Sequence, residues 1–151
     1  PDELEIILSD ASVSPPPARI DELHADTNML FAADRIEDIF AVLSADPSPW
    51  AREQLEEIRK KSPRCCKVAL RALAECAKLT QFSEIMQLEY RVSSRLARKP
   101  DFSEGVRAFL IDRDNSPKWM PSHLKDVSND EIDAIFAPLP ENEEWTPVKR
   151  E

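Results

Sequence analysis

Carboxylates are the commonest chemically active side chains here, with 29 Asp and Glu against 20 Lys and Arg and a net charge of −9. Glu89 and Glu104 invite reading as an acid–base pair. Glu89, however, falls on an apolar stripe between Met86 and Val92, where a carboxylate is costly to bury unless paired. Arg91, Arg95 and Arg107 are the cations at hand. The reading is therefore a buried structural ion pair, Glu89 with Arg107 first. Cys65, Cys66 and Cys76 form an odd set without a C-x-x-C spacing, and the adjacent two point to different helix faces. They read as reduced packing thiols of an intracellular protein. His24 and His123 stand far from any thiol or hydroxyl partner in sequence, so both read as surface residues and no metal site is expected.

Arg59, Lys60, Lys61, Arg64, Lys67 and Arg71 span thirteen residues without an acid. Such a cluster either attracts phosphates or an acidic surface, or is a solvated helix end suited to the C-terminal dipole near Lys61. The negative balance elsewhere disfavours nucleic acid and anionic membranes. No apolar run approaches the ~20 residues of a membrane span. Gly105 is the only glycine. That excludes phosphate loops, dinucleotide folds and tight-turned β structure. It also leaves no Gly-rich oxyanion loop, so no catalytic residue is assigned.

The elements that must position these groups are helical. Leu4, Ile7 and Leu8 mark a short helix that ends before Ser14-Pro15-Pro16-Pro17, an extended linker. Asp34 opens a helix with Ile36, Ile39, Phe40 and Leu43. Ser48-Pro49 and Ser62-Pro63 repeat one start signal, N-cap then proline at the first position. The second of these helices should bury Cys66, Ala69, Leu70, Leu73 and Ala77, and wet Arg64, Lys67, Arg71, Glu75 and Lys78. A long helix from Thr80 to about Arg98 should face Phe82, Ile85, Met86, Val92 and Leu96 inward. Ser128 or Asn129 caps a last helix with Ile132, Ile135 and Phe136. The expected class is all-α, six to eight helices, divided as 1–17 helix and linker, 18–137 helical body and 138–151 acidic, loosely ordered tail.

The chain turns on residues 102–119, FSEGVRAFLIDRDNSPKW. Asp101 is a candidate N-cap with Glu104 three residues on. Phe102, Val106, Phe109 and Leu110 share a face. Gly105 inside a helix costs about 1 kcal/mol against Ala, so a close neighbour is expected, the long helix near Tyr90. Glu104-Gly105-Val106-Arg107-Ala108-Phe109 and the loop Ile111 to Trp119, together with Leu88-Glu89-Tyr90-Arg91 and Lys61-Ser62-Pro63, resemble the C-terminal signature of the 3-hydroxyisobutyryl-CoA hydrolases. These belong to the enoyl-CoA hydratase, or crotonase, superfamily.

The resemblance covers roughly residues 20–135. It implies a C-terminal piece of a thioester hydrolase of valine breakdown, with the catalytic α/β core elsewhere; the start at Pro1 without Met fits a fragment, a processed product or a trimmed chain. It implies that the piece covers that core, helps hold acyl-CoA or forms a homo-oligomer contact, and works in the mitochondrial matrix of a eukaryote or the bacterial cytoplasm. CoA is then a substrate, with no covalent cofactor. Phe109, Arg113 and Lys118 are the positions implied for its nucleotide end. Packing for Phe109, and ion pairs with Asp112 or Asp114 for the two cations, are the structural alternatives. Trp119 should plug the loop against the helices. The competing reading is a non-catalytic scaffold, like hydrolase-type relatives built into mitochondrial ribosomes.

Overall fold

The computed structural model describes residues 2–13, 16 and 18–147. Residues 14, 15 and 17 of the expected linker, and 148–151 of the expected tail, lie outside them. The chain divides into two compact units, 1–32 and 33–151. The first holds α1 (Asp2–Ala11) and α2 (Arg19–Leu30). On α1, Leu4, Ile6, Ile7 and Leu8 are all exposed.

The second unit holds α3 (Ile36–Ala45), α4 (Pro49–Arg59), α5 (Pro63–Cys76), α6 (Phe82–Leu96), α7 (Pro100–Val106) and α8 (Asn129–Phe136). A π-helical turn, Arg107–Ile111, extends α7, and a 3₁₀ turn, Leu124–Asp126, precedes α8. No strand occurs among the described residues.

The start signals act as their chemistry dictates. Ser48 Oγ accepts from Ala51 N–H at 3.1 Å and Ser62 Oγ from Cys65 N–H at 3.2 Å, each followed by proline at the first helical position. Ser128, rather than Asn129, caps α8 by accepting from Glu131 N–H. Arg35 rather than Asp34 is the N-cap of α3.

The core joins α5, α6 and α8. Val68, Leu88, Val92, Val127, Ile132, Ile135 and Phe136 are buried together, with Ala72, Cys76, Leu79 and Leu96 at the margin. The α8 stripe is the expected one. The α5 stripe is rotated: Pro63, Arg64 and Val68 are buried, whereas Leu73 is 71% exposed. On α6, Leu88 and Val92 face inward and Phe82 is 76% exposed.

The α5 cations expected in solvent explain the rotation, because they find acids on neighbouring elements. Lys67 Nζ meets Glu37 at 2.8 Å and donates to Val127 C=O. Arg71 pairs with Asp133 and lies over the Phe136 ring.

The stretch after Pro138 is also better tied than expected. Arg91 Nε donates to both carboxylate oxygens of Glu144, at 2.8 and 2.9 Å. Arg95 donates to the carbonyls of Ile135, Ala137 and Pro138.

Candidate functional site: the signature loop and its anchors

Pro100 occupies the first turn of α7, and the N-cap is Lys99. Asp101 is therefore not the cap. It is inside, 5% exposed, as is Arg64. Arg64 Nη1 meets Asp101 Oδ2 at 2.7 Å, and Arg64 Nε meets Glu131 Oε1 at 2.7 Å. Arg64 Nη2 donates to Met120 C=O at 3.0 Å, while Asp101 Oδ1 accepts from Met120 N–H at 3.1 Å. Ser62 Oγ donates to Asp101 Oδ2, and Lys99 Nζ to Glu131 Oε1. A buried charge is tolerated only when paired and fully hydrogen-bonded, and both conditions are met here. Desolvation opposes ionisation of Glu131, but its bonds from Lys99 and Arg64 win and hold its carboxyl below the usual range.

The other end of the loop is organised by Arg107. Its guanidinium contacts Glu104 at 2.8 Å, Asp112 at 2.7 Å and Asp114 at 2.6 Å. It also donates to Ser116 C=O. Glu104 accepts the Lys118 N–H at 2.6 Å as well. The Arg107 bond, then the Lys118 amide, draw the Glu104 carboxyl down to about 2. Asp114 is lowered by the same guanidinium. Glu104 and Asp114 are thereby held as anions, so neither is a proton donor at neutral pH.

The π turn closes with Asp112 N–H on Arg107 C=O at 2.8 Å. Such single π turns recur at functional sites. The following loop places Arg113 and Asn115 in the left-handed region, at φ 56° and 52°.

The Glu89–Arg107 pair is overturned. Glu89 is exposed and makes no ion pair among the described residues. The longer α6 stripe passes through Leu88 and Val92, which turns Glu89 outward. Gly105 faces Trp119 rather than Tyr90, its Cβ position lying 3.5 Å from Trp119 Cη2.

Trp119 reaches back to the C-terminal end of α4. Its Nε1–H donates to Lys60 C=O at 2.8 Å, and its ring lies 6.4 Å from that of Phe109, tilted by 40°. Arg113 and Lys118 do not pair with Asp112 or Asp114, because Arg107 already holds both acids. Among the described residues Arg113 Nε only reaches Leu110 C=O at 3.4 Å, and the Lys118 ammonium makes no ion pair, although its charge helps lower the Glu104 carboxyl.

Beside the loop runs an apolar groove of about 470 Å³ lined by Phe102, Gly105, Val106, Phe109, Leu110 and Trp119. Cys65 is exposed at its edge, and burial pushes the Cys66 thiol up to about 11. No disulfide and no metal-holding cluster occurs among the described residues. His24 and His123 are exposed. What sequence reasoning missed is that Arg64, Asp101, Ser62 and Glu131 come together in one network. The one available signal was a serine and an arginine flanking Pro63, upstream of an acid at a second helix start.

The model of the enoyl-CoA hydratase/isomerase family matches residues 2–136. The chain belongs to this family. Among its relatives, the mitochondrial 3-hydroxyisobutyryl-CoA hydrolase of Gallus gallus is 43% identical over 124 residues, and that of Homo sapiens 44% over 119. Those alignments take in 82% and 78% of this chain but 32% and 31% of the relatives. The chain thus spans about a third of the length of the curated relatives it matches. A carnitinyl-CoA dehydratase from Mycobacterium thermoresistibile superposes with a TM-score of 0.84 at 31% identity, over 93% of this chain and 40% of its own. An enoyl-CoA hydratase from Rhodobacter sphaeroides gives 0.81 at 31% identity, over 96% and 44%.

These superpositions correct the expected all-α class. Nearly the whole chain overlays on parts of crotonase-type folds, so its helices are a portion of that fold and not a class of their own. The physical reason shows on the surface. Helices of a closed all-α domain bury their stripes against each other, yet Phe102, Leu110, Leu73 and Phe82 stay 57%, 67%, 71% and 76% exposed. Periodicity reports local helix and says nothing of what completes the layer. Among the described residues no helix is long and apolar enough to cross a membrane.

Proposed function

We propose that the chain is the C-terminal helical region of a 3-hydroxyisobutyryl-CoA hydrolase of valine breakdown, working in the mitochondrial matrix; the relatives it matches are mitochondrial. It covers the acyl-transfer site and presents Arg113 and Lys118 to the CoA phosphates, with Phe109 beside the nucleotide. The supporting observation is a charge mismatch. In a loop crowded with acids, the Arg107 guanidinium engages Glu104, Asp112 and Asp114; among the described residues Arg113 makes no ion pair, and the Lys118 ammonium makes none and is only attracted by the charge of Glu104. Cations held this way suit an anionic ligand and would bring phosphate binding rather than bond breaking.

The test replaces the matching segment of the human hydrolase with residues 20–136 of this chain. The chimera should hydrolyse 3-hydroxyisobutyryl-CoA. Arg113→Ala and Lys118→Ala should each raise KM about tenfold, the size of one charge-assisted contact, with kcat nearly unchanged. The corresponding pantetheine thioester, which lacks the nucleotide phosphates, should be processed equally by all three. A folded chimera without turnover rejects the hydrolase reading, and an unchanged KM rejects the phosphate contact.

A further inference from the structure

We propose that Arg64 is a positioning residue that fixes the register of Lys118 by gripping the Met120 backbone; this rests on the phosphate role of Lys118 proposed above. Three features carry it. Arg64 and Asp101 are each 5% exposed, so their geometry is held by packing rather than by solvent-mobile side chains. Between them they engage both polar groups of the Met120 main chain, Arg64 Nη2 at the carbonyl and Asp101 Oδ1 at the N–H. Two residues earlier, Glu104 accepts the Lys118 N–H, and the intervening Trp119 is tied to Lys60 C=O. Main-chain groups on both sides of the Lys118 side chain are therefore pinned, which sets where the ammonium can reach.

The guanidinium is required for this. Its Nε, Nη1 and Nη2 point three ways, to Glu131, Asp101 and Met120. A lysine ammonium keeps the charge but lacks the planar fork, and cannot reach all three. Arg64→Lys therefore separates pinning from charge.

In the chimera with the human hydrolase, Arg64→Lys should raise KM for 3-hydroxyisobutyryl-CoA about tenfold with kcat within about twofold, and leave the pantetheine thioester unaffected. Amide exchange at Met120 should speed up in the same variant. A merely structural role would instead move both substrates together, and that result overturns the inference. So does an unchanged KM in Arg64→Lys when Lys118→Ala raises it. If Lys118→Ala itself has no effect, the phosphate reading fails and takes this inference with it. Should Arg64→Lys fold poorly, Asp101→Asn tests the same grip with a side chain of equal size, and the same split between substrates is expected.

Discussion

The Cβ position of Gly105 stands 3.5 Å from Cη2 and 3.7 Å from Cζ3 of Trp119, ordinary van der Waals range. The glycine is not an obligatory gap. A methyl group fits against the indole without moving it, and alanine recovers about 1 kcal/mol of helix propensity. Gly105→Ala should therefore raise the thermal midpoint. A lowered midpoint would mean that Trp119 cannot accept the added contact. Gly105→Leu should act in the opposite direction, by pushing the indole off Lys60 C=O.

Glu104 makes stability depend on acid. Its bonds to Arg107 and Lys118 N–H lower its carboxyl from 4.5 to about 2. A folded-state value below the unfolded one gives stability that is full above 4.5 and disappears as pH falls towards 2. Glu104→Gln removes the charge at every pH. The gap in midpoint between parent and Glu104→Gln should be constant near neutrality and close at the acid end of that window. A gap independent of pH would show that Arg107 does not favour the ionised form.

Local signals were legible where one residue decides them. Ser48-Pro49, Ser62-Pro63 and Ser128 set helix starts by chemistry contained in a few residues. The family signature was legible for the same reason, being contiguous. What stayed hidden depends on partners far along the chain. Arg64 reads as a wet cation until Asp101 and Glu131, 37 and 67 residues away, are seen beside it. Glu89 reads as buried until Leu88 and Val92 are seen to set the α6 face. The class of the fold was hidden for a related reason: the exposed stripes of Phe82, Phe102 and Leu110 are periodic whether or not another layer covers them.

The two carboxylates singled out by burial arguments should behave oppositely when altered. Glu89 is exposed and makes no ion pair among the described residues, so Glu89→Ala should change stability by less than about 0.5 kcal/mol. Asp101 is buried against Arg64, and removing one partner of a buried pair costs roughly 3–5 kcal/mol. Asp101→Ala should accordingly lower the midpoint by many degrees. Equal midpoints for Glu89→Ala and Asp101→Ala would contradict the burial seen at both sites.

Arg113 offers a prediction in which stability and affinity part company. Its backbone sits at φ 56°, a region that a long side chain occupies only at a cost of order 1 kcal/mol. Asn115, at φ 52°, is a residue type that tolerates the same region. Arg113 gains little locally in return, since its side-chain bond among the described residues is the 3.4 Å reach to Leu110 C=O. Arg113→Gly removes the strain, although glycine also loosens the unfolded chain and offsets part of the gain. The expected result is a stability equal to or above the parent's by up to ~1 kcal/mol, read from thermal melts. In the chimera with the human hydrolase, the same variant should raise KM for the CoA thioester, because the unpartnered cation is gone. Arg113→Lys should keep the strain and much of the affinity. If Arg113→Gly destabilises the loop and leaves KM unchanged, the cation serves the fold, and its place in phosphate binding is lost.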